Sequence, residues 1–124
     1  MYMKNIFLLL SWLILLPSGI LANPIKGMLE RIDKGASNKF VVELHKSPND
    51  FFELDRKGDK VVIRGNTYIN IATGINWYLK YHAGIHLSWN GMYASLPDVL
   101  PPVLRKERHE TNLALRYDFN YCTY

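Results

Sequence analysis

The chain has 124 residues, a formal net charge of +4, 13% aromatic residues and a single cysteine, Cys122. One thiol cannot staple a domain, so a disulfide scaffold is excluded and any fold must rest on its hydrophobic core. Basic and acidic residues are interleaved except at Arg105, Lys106 and Arg108, a short cluster that fits a solvated connector and not a nucleic-acid face.

Lys4, the apolar run Ile6 to Leu16, the breakers Pro17 and Gly19, and the small residue Ala22 give residues 1–22 the layout of a secretory signal peptide. The run is shorter than the roughly 20 apolar residues of a spanning helix, so no stable membrane anchor is expected after cleavage, and the mature chain is expected to be exported. Removing these residues leaves a piece the size of one small, marginally stable domain.

Pro24 to Lys34 reads as a helix. Pro24 stands where its missing N–H costs nothing, and Ile25, Met28, Leu29 and Ile32 form one apolar stripe that Gly35 is placed to end. A polar loop precedes a strand at Phe40 to Leu44. The turn residues Pro48, Asn49 and Asp50 introduce two further short strands, Phe51 to Asp55 and Lys60 to Arg64, joined at Lys57-Gly58-Asp59 as a hairpin. Asn66 or Thr67 is suited to cap a helix from Tyr68 to Tyr81, whose buried face is expected to carry Tyr68, Ala72, Ile75 and Leu79 with Ile71 and Tyr78 beside it. Gly74 costs that helix about 1 kcal/mol relative to Ala, which a close approach to a strand would compensate. Gly84 is placed to end the helix in a left-handed conformation.

Ile85 to Trp89 reads as a short strand closed by the Asn90-Gly91 turn. Prolines 97, 101 and 102 favour an extended path, and Arg105 to Asn112 is polar. From Leu113 to Tyr124 apolar and polar residues alternate as in a strand. The expected organisation is therefore residues 23–95 as an α/β domain, 96–112 as a connector and 113–124 as the start of a structure that the chain does not complete.

Residues that carry chemistry are sparse. His82 and His86 have metal-ligand spacing on a helix, but Gly84 lies between them, and neither a metal nor a cofactor is expected. His45 and His109 read as solvated loop residues. Cys122 has no local base, so it reads as structural or substrate-lining and not as a nucleophile. Glycoside hydrolysis needs two carboxyl groups flanking one bond. The eleven carboxylates, Glu30, Asp33, Glu43, Asp50, Glu53, Asp55, Asp59, Asp98, Glu107, Glu110 and Asp118, fall mostly in turns, on helix surfaces or in the polar connector, where each reads as a solvated charge, and no catalytic residue is assigned.

The segments I-R-G-N (Ile63–Asn66), G-I-N-W-Y-L-K (Gly74–Lys80), H-L-S-W-N-G (His86–Gly91) and R-Y-D-F-N-Y-C-T (Arg116–Thr123), in this order, resemble the N-terminal part of the α-N-acetylglucosaminidases, retaining glycoside hydrolases. The resemblance implies an α+β accessory domain: a small, mostly antiparallel sheet with one or two helices on one face, then an extended connector and the first strand of a (β/α) barrel. It implies that Asn120 and Cys122 line the sugar pocket, that the catalytic glutamates have no counterpart here, and that the partners are a missing catalytic barrel and a glycan ending in N-acetylglucosamine. A periplasmic or extracellular location follows, or a lysosomal one in a eukaryote. The expected function is that of an inactive N-terminal domain. Two alternatives stand beside it: a free-standing carbohydrate-binding module using Trp77, Tyr78, Tyr81, Trp89 and Tyr93, and an interaction domain that completes a separately encoded barrel.

Overall fold

The structure, a computed structural model, describes residues 23–88, 90–93 and 95–113. The signal-like segment, Trp89, and the expected terminal strand from residue 114 onward, with Asn120 and Cys122, lie outside the described residues.

Helix α1 (Pro24–Ile32) begins at Asn23, whose side-chain oxygen accepts from the N–H groups of Ile25 and Lys26. Ile25 and Leu29 are buried, and Met28 and Ile32 pack against the same core. The helix ends short of Lys34, because Glu30 turns back to accept from the N–H groups of Gly35 and Ser37. That contact, with Gly35 at φ 84°, folds Ala36–Lys39 into a 3-10 turn where a plain loop was expected.

Strands β1 (Phe40–Leu44), β2 (Asp50–Lys57), β3 (Lys60–Gly65) and β6 (Glu107–Thr111) form one sheet in the order β1-β3-β2-β6. Pairing is parallel between β1 and β3 and antiparallel elsewhere. The β2–β3 hairpin closes with Lys57 opposite Lys60 across Gly58 (φ 63°) and Asp59. A separate two-stranded ribbon, β4 (His86–Ser88) with β5 (Gly91–Tyr93), follows α2 (Tyr68–Tyr81).

Phe40, Phe52, Leu54, Val61 and Ile63 face the helices and join Ile71, Ile75, Tyr78 and Leu79 in the core. Thr67 caps α2 by accepting from the Asn70 N–H at 3.1 Å. The close approach expected at Gly74 is present: a Cβ there would stand 3.0 Å from Ile63 Cγ2 and 3.1 Å from Phe52 Cβ. Gly84 follows the helix at φ 67°. The buried face differs from expectation at its first turn. Tyr68 is exposed and Asn70 is buried. Asn70 is held there by donating from Nδ2 to Asp50 Oδ1 and Asn66 Oδ1, which ties the start of β2 to the β3–α2 turn.

The largest departure lies after the β4–β5 ribbon. Leu96, Leu100 and Val103 are buried in the core. Lys39 Nζ donates to the Pro97 carbonyl at 2.7 Å, and the Tyr78 hydroxyl donates to the Pro101 carbonyl at 2.6 Å. The proline-rich stretch is thus packed against the helices and not merely strung out. The polar run read as connector supplies strand β6.

Candidate functional site

The hairpin register places Glu53 opposite Arg64; β1 adds Glu43 opposite Arg64, and β6 adds Arg108 opposite Glu53. Glu43, Arg64, Glu53 and Arg108 therefore form one row of alternating charge across all four strands, on the face turned away from the helices. Arg64 Nε donates to Glu43 Oε2 at 2.6 Å, and its Nη1 donates to Glu53 Oε1 at 2.9 Å and Asp55 Oδ2 at 2.7 Å. Lys106 adds a second cation to Glu53 at 2.9 Å. Glu53 is almost fully buried, which corrects its reading as a solvated charge.

The electrostatics follow from these contacts. Burial pushes the Glu53 carboxyl up, but the hydrogen bonds and charges of Lys106 and Arg64 outweigh it, so the group is held below the ordinary carboxylate range. The hydrogen bond from Arg64 lowers Asp55 as well, aided by the Arg56 N–H. The Asp55 contact, with Glu43 and Glu53 behind it, raises Arg64 further above its already high value despite burial. A retaining glycosidase needs one carboxyl raised so that it can donate a proton. Glu53 and Asp55 are near neighbours shifted the other way, with a guanidinium between them, and they are suited to tying strands together and not to acid catalysis.

On the helix side of the sheet a second cluster forms where β6 passes the end of α2. Glu107 stands opposite Leu54 and His109 opposite Phe52. His82 Nε2 lies 2.7 Å from Glu107 Oε1, and His109 Nε2 lies 3.4 Å from Glu107 Oε2. The His109 ring stacks on Phe52 at 4.8 Å and meets Trp77 at 4.4 Å. His109 is thus part of the packed structure and not a solvated loop residue. The carboxylate that His82 lacked in its own segment arrives from β6. Among the described residues no set of three His, Cys, Asp or Glu side chains is arranged to hold a metal ion.

Glu107 and its two histidines line an open groove of about 700 Å³ together with Tyr81, Pro101, Pro102, Leu104, Arg105, Lys106 and Arg108. Of the aromatics considered for sugar stacking, Tyr78 is fully buried and Trp77 packs among Phe52, Tyr81 and His109, whereas Tyr81 is 58% exposed. Counting back from the two-residue hairpin turn finds the Glu53–Arg64 pair in the sequence. No local signal finds the His82–Glu107 contact, which depends on where β6 docks.

This architecture defines a small α+β domain whose shifted carboxylates, among the described residues, are all lowered by hydrogen bonds and ion pairs, the opposite of what proton donation needs. Residues 23–102 match the family model of the alpha-N-acetylglucosaminidase (NAGLU) N-terminal domain, and the chain belongs to that family. Human alpha-N-acetylglucosaminidase is 36% identical over 64 residues, covering 52% of this chain and 9% of the human protein. Among solved structures, a family 89 glycoside hydrolase from Clostridium perfringens in complex with PUGNAc superposes with a TM-score of 0.74 at 33% identity, covering 82% of this chain and 12% of that one. A Clostridium perfringens family 89 variant in complex with its substrate GlcNAc-alpha-1,4-galactose gives a TM-score of 0.72 at 31% identity over 77% of this chain and 11% of the variant. The chain thus spans about a tenth of the length of these relatives.

Proposed function

We propose that this chain is the non-catalytic N-terminal domain of an exported alpha-N-acetylglucosaminidase, and that its role is to brace a catalytic barrel from which hydrolysis of terminal α-linked N-acetylglucosamine comes. The observation that carries the reading is the match of residues 23–102 to a family model of the N-terminal domain. The lowered, ion-paired state of Glu53 and Asp55 supports it, because neither is set to supply the proton that glycoside cleavage needs. Asn120 and Cys122 are proposed as contacts to the substrate sugar in the assembled enzyme. Export rests on the signal-like character of residues 1–22.

The purified full chain, incubated with an aryl α-N-acetylglucosaminide, is expected to release no aryl alcohol above the buffer rate. Release proportional to protein concentration and abolished by Glu53→Gln or Glu107→Gln would refute the reading.

A further inference from the structure

We propose that the groove between the last turn of α2 and the segment Pro101–His109 is a saccharide-binding site. Its volume, about 700 Å³, lies within the roughly 300–1,000 Å³ of small-molecule sites. Its lining is of two kinds. Part is apolar and open: Tyr81 is 58% exposed and Leu104 90% exposed, with Pro102 also lining the groove. The rest is polar and includes His82, Glu107 and His109, together with Arg105, Lys106 and Arg108.

That combination of apolar and polar lining fits a pyranose. A sugar ring has a C–H face that lies on an aromatic ring, and a rim of hydroxyls that both donate and accept. Glu107 accepts at both oxygens and keeps lone pairs beyond those facing the two histidines. The lining is also fixed before any ligand arrives. Tyr81 is propped by Trp77 at 4.4 Å, and His109 is held between Phe52 and Trp77. Little ordering remains to oppose binding.

Other ligand classes fit less well. A wholly apolar ligand would leave Glu107 and two imidazoles desolvated. A small anion would leave the apolar part of the lining, Tyr81 and Leu104, unused, and Lys106 and Arg108 are engaged with Glu53 and Glu110. The ligand class follows from the lining of the groove, and it does not depend on the chain being hydrolytically inactive.

The test is a titration of the isotopically labelled full chain with N-acetylglucosamine and with GlcNAc-α-1,4-galactose, followed by amide NMR shifts and tryptophan fluorescence. Saturable shifts confined to Tyr81, His82, Leu104 and Glu107 are expected. Tyr81→Ala should weaken binding at least about tenfold, equivalent to about 1.4 kcal/mol. Tyr81 is exposed, so the fold should survive, and an unchanged melting curve verifies that. Glu107→Gln, which keeps the shape of the side chain, should weaken binding while leaving the apolar lining intact. The proposal is overturned if no shift reaches saturation with either sugar, if glycerol gives the same shifts, or if Tyr81→Ala leaves the affinity unchanged. Aryl alcohol release in the turnover assay is a separate readout, so failure of the site and failure of the accessory-domain reading are distinguishable.

Discussion

Tyr78 donates its hydroxyl to the carbonyl oxygen of Pro101 at 2.6 Å, from a ring with no exposed surface that also meets Phe40 edge-on at 5.8 Å. This bond fastens the proline-rich stretch to the helix layer. Tyr78→Phe is expected to cost about 1–2 kcal/mol, the usual loss for a hydrogen bond whose partner is left behind. Burial pushes the Tyr78 hydroxyl up to about 12, against about 10 when unfolded. The folded state therefore holds this proton more tightly. Its contribution to stability is full below about pH 10 and declines as pH rises toward 12. Urea melts across that window should show a steeper alkaline loss for the parent than for Tyr78→Phe.

Gly74→Ala sets two effects against each other. Helix propensity favours Ala by about 1 kcal/mol. The new methyl would stand 3.0 Å from Ile63 Cγ2 and 3.1 Å from Phe52 Cβ, and Phe52 Cβ cannot swing away without moving β2. Overpacking of this kind costs about 1–3 kcal/mol, so the net change is a loss. Gly74→Val should lose more. Thermal denaturation of the three proteins gives the order, and a gain for Gly74→Ala would show that the sheet yields freely.

Arg64→Met removes the cation shared by Glu43, Glu53 and Asp55. Glu53 keeps Lys106 but loses its more buried partner, and the expected cost is about 2–4 kcal/mol. The pH dependence has a definite sign. Glu53 and Asp55 are lowered in the fold, so their contribution is present above the unfolded carboxylate range, near pH 4, and is lost as pH falls through their folded values. Acid melts should therefore show a stability loss below about pH 4 that is smaller in Arg64→Met than in the parent.

His109→Ala removes the ring that covers Phe52 and Trp77 and should cost about 1–2 kcal/mol. The effect should be local. Hydrogen exchange is expected to quicken at the β2–β6 amides and to stay unchanged at the β1–β3 amides. His109→Phe, which preserves the stack, should restore protection.

Much of this fold is legible in the chain because local signals agree with the tertiary structure. The β-branched run gives β1 with the bounds expected, the Thr67 cap and Gly84 bracket α2, and Gly74 announces a close helix–sheet contact. Strand β6 is not legible in this way. Glu107–Thr111 has no apolar residue, so period-two patterning has nothing to show. It is held by backbone pairing to β2, by the Glu53 charge row and by the His109 stack, and each of these is set by partners some fifty residues away. Both candidate clusters draw residues from β6 or from the segment entering it, which is why the carboxylates read as scattered surface charges.

The charge on β6 has a further consequence. Among the described residues it is the outermost strand on its side of the sheet, and an unpaired rim of backbone amides is a template for joining a second molecule. Glu107, Arg108 and Glu110 place alternating signs along that rim, which a like strand could approach only by desolvating them. The residues that brace the sheet internally therefore also work against runaway self-association at its border.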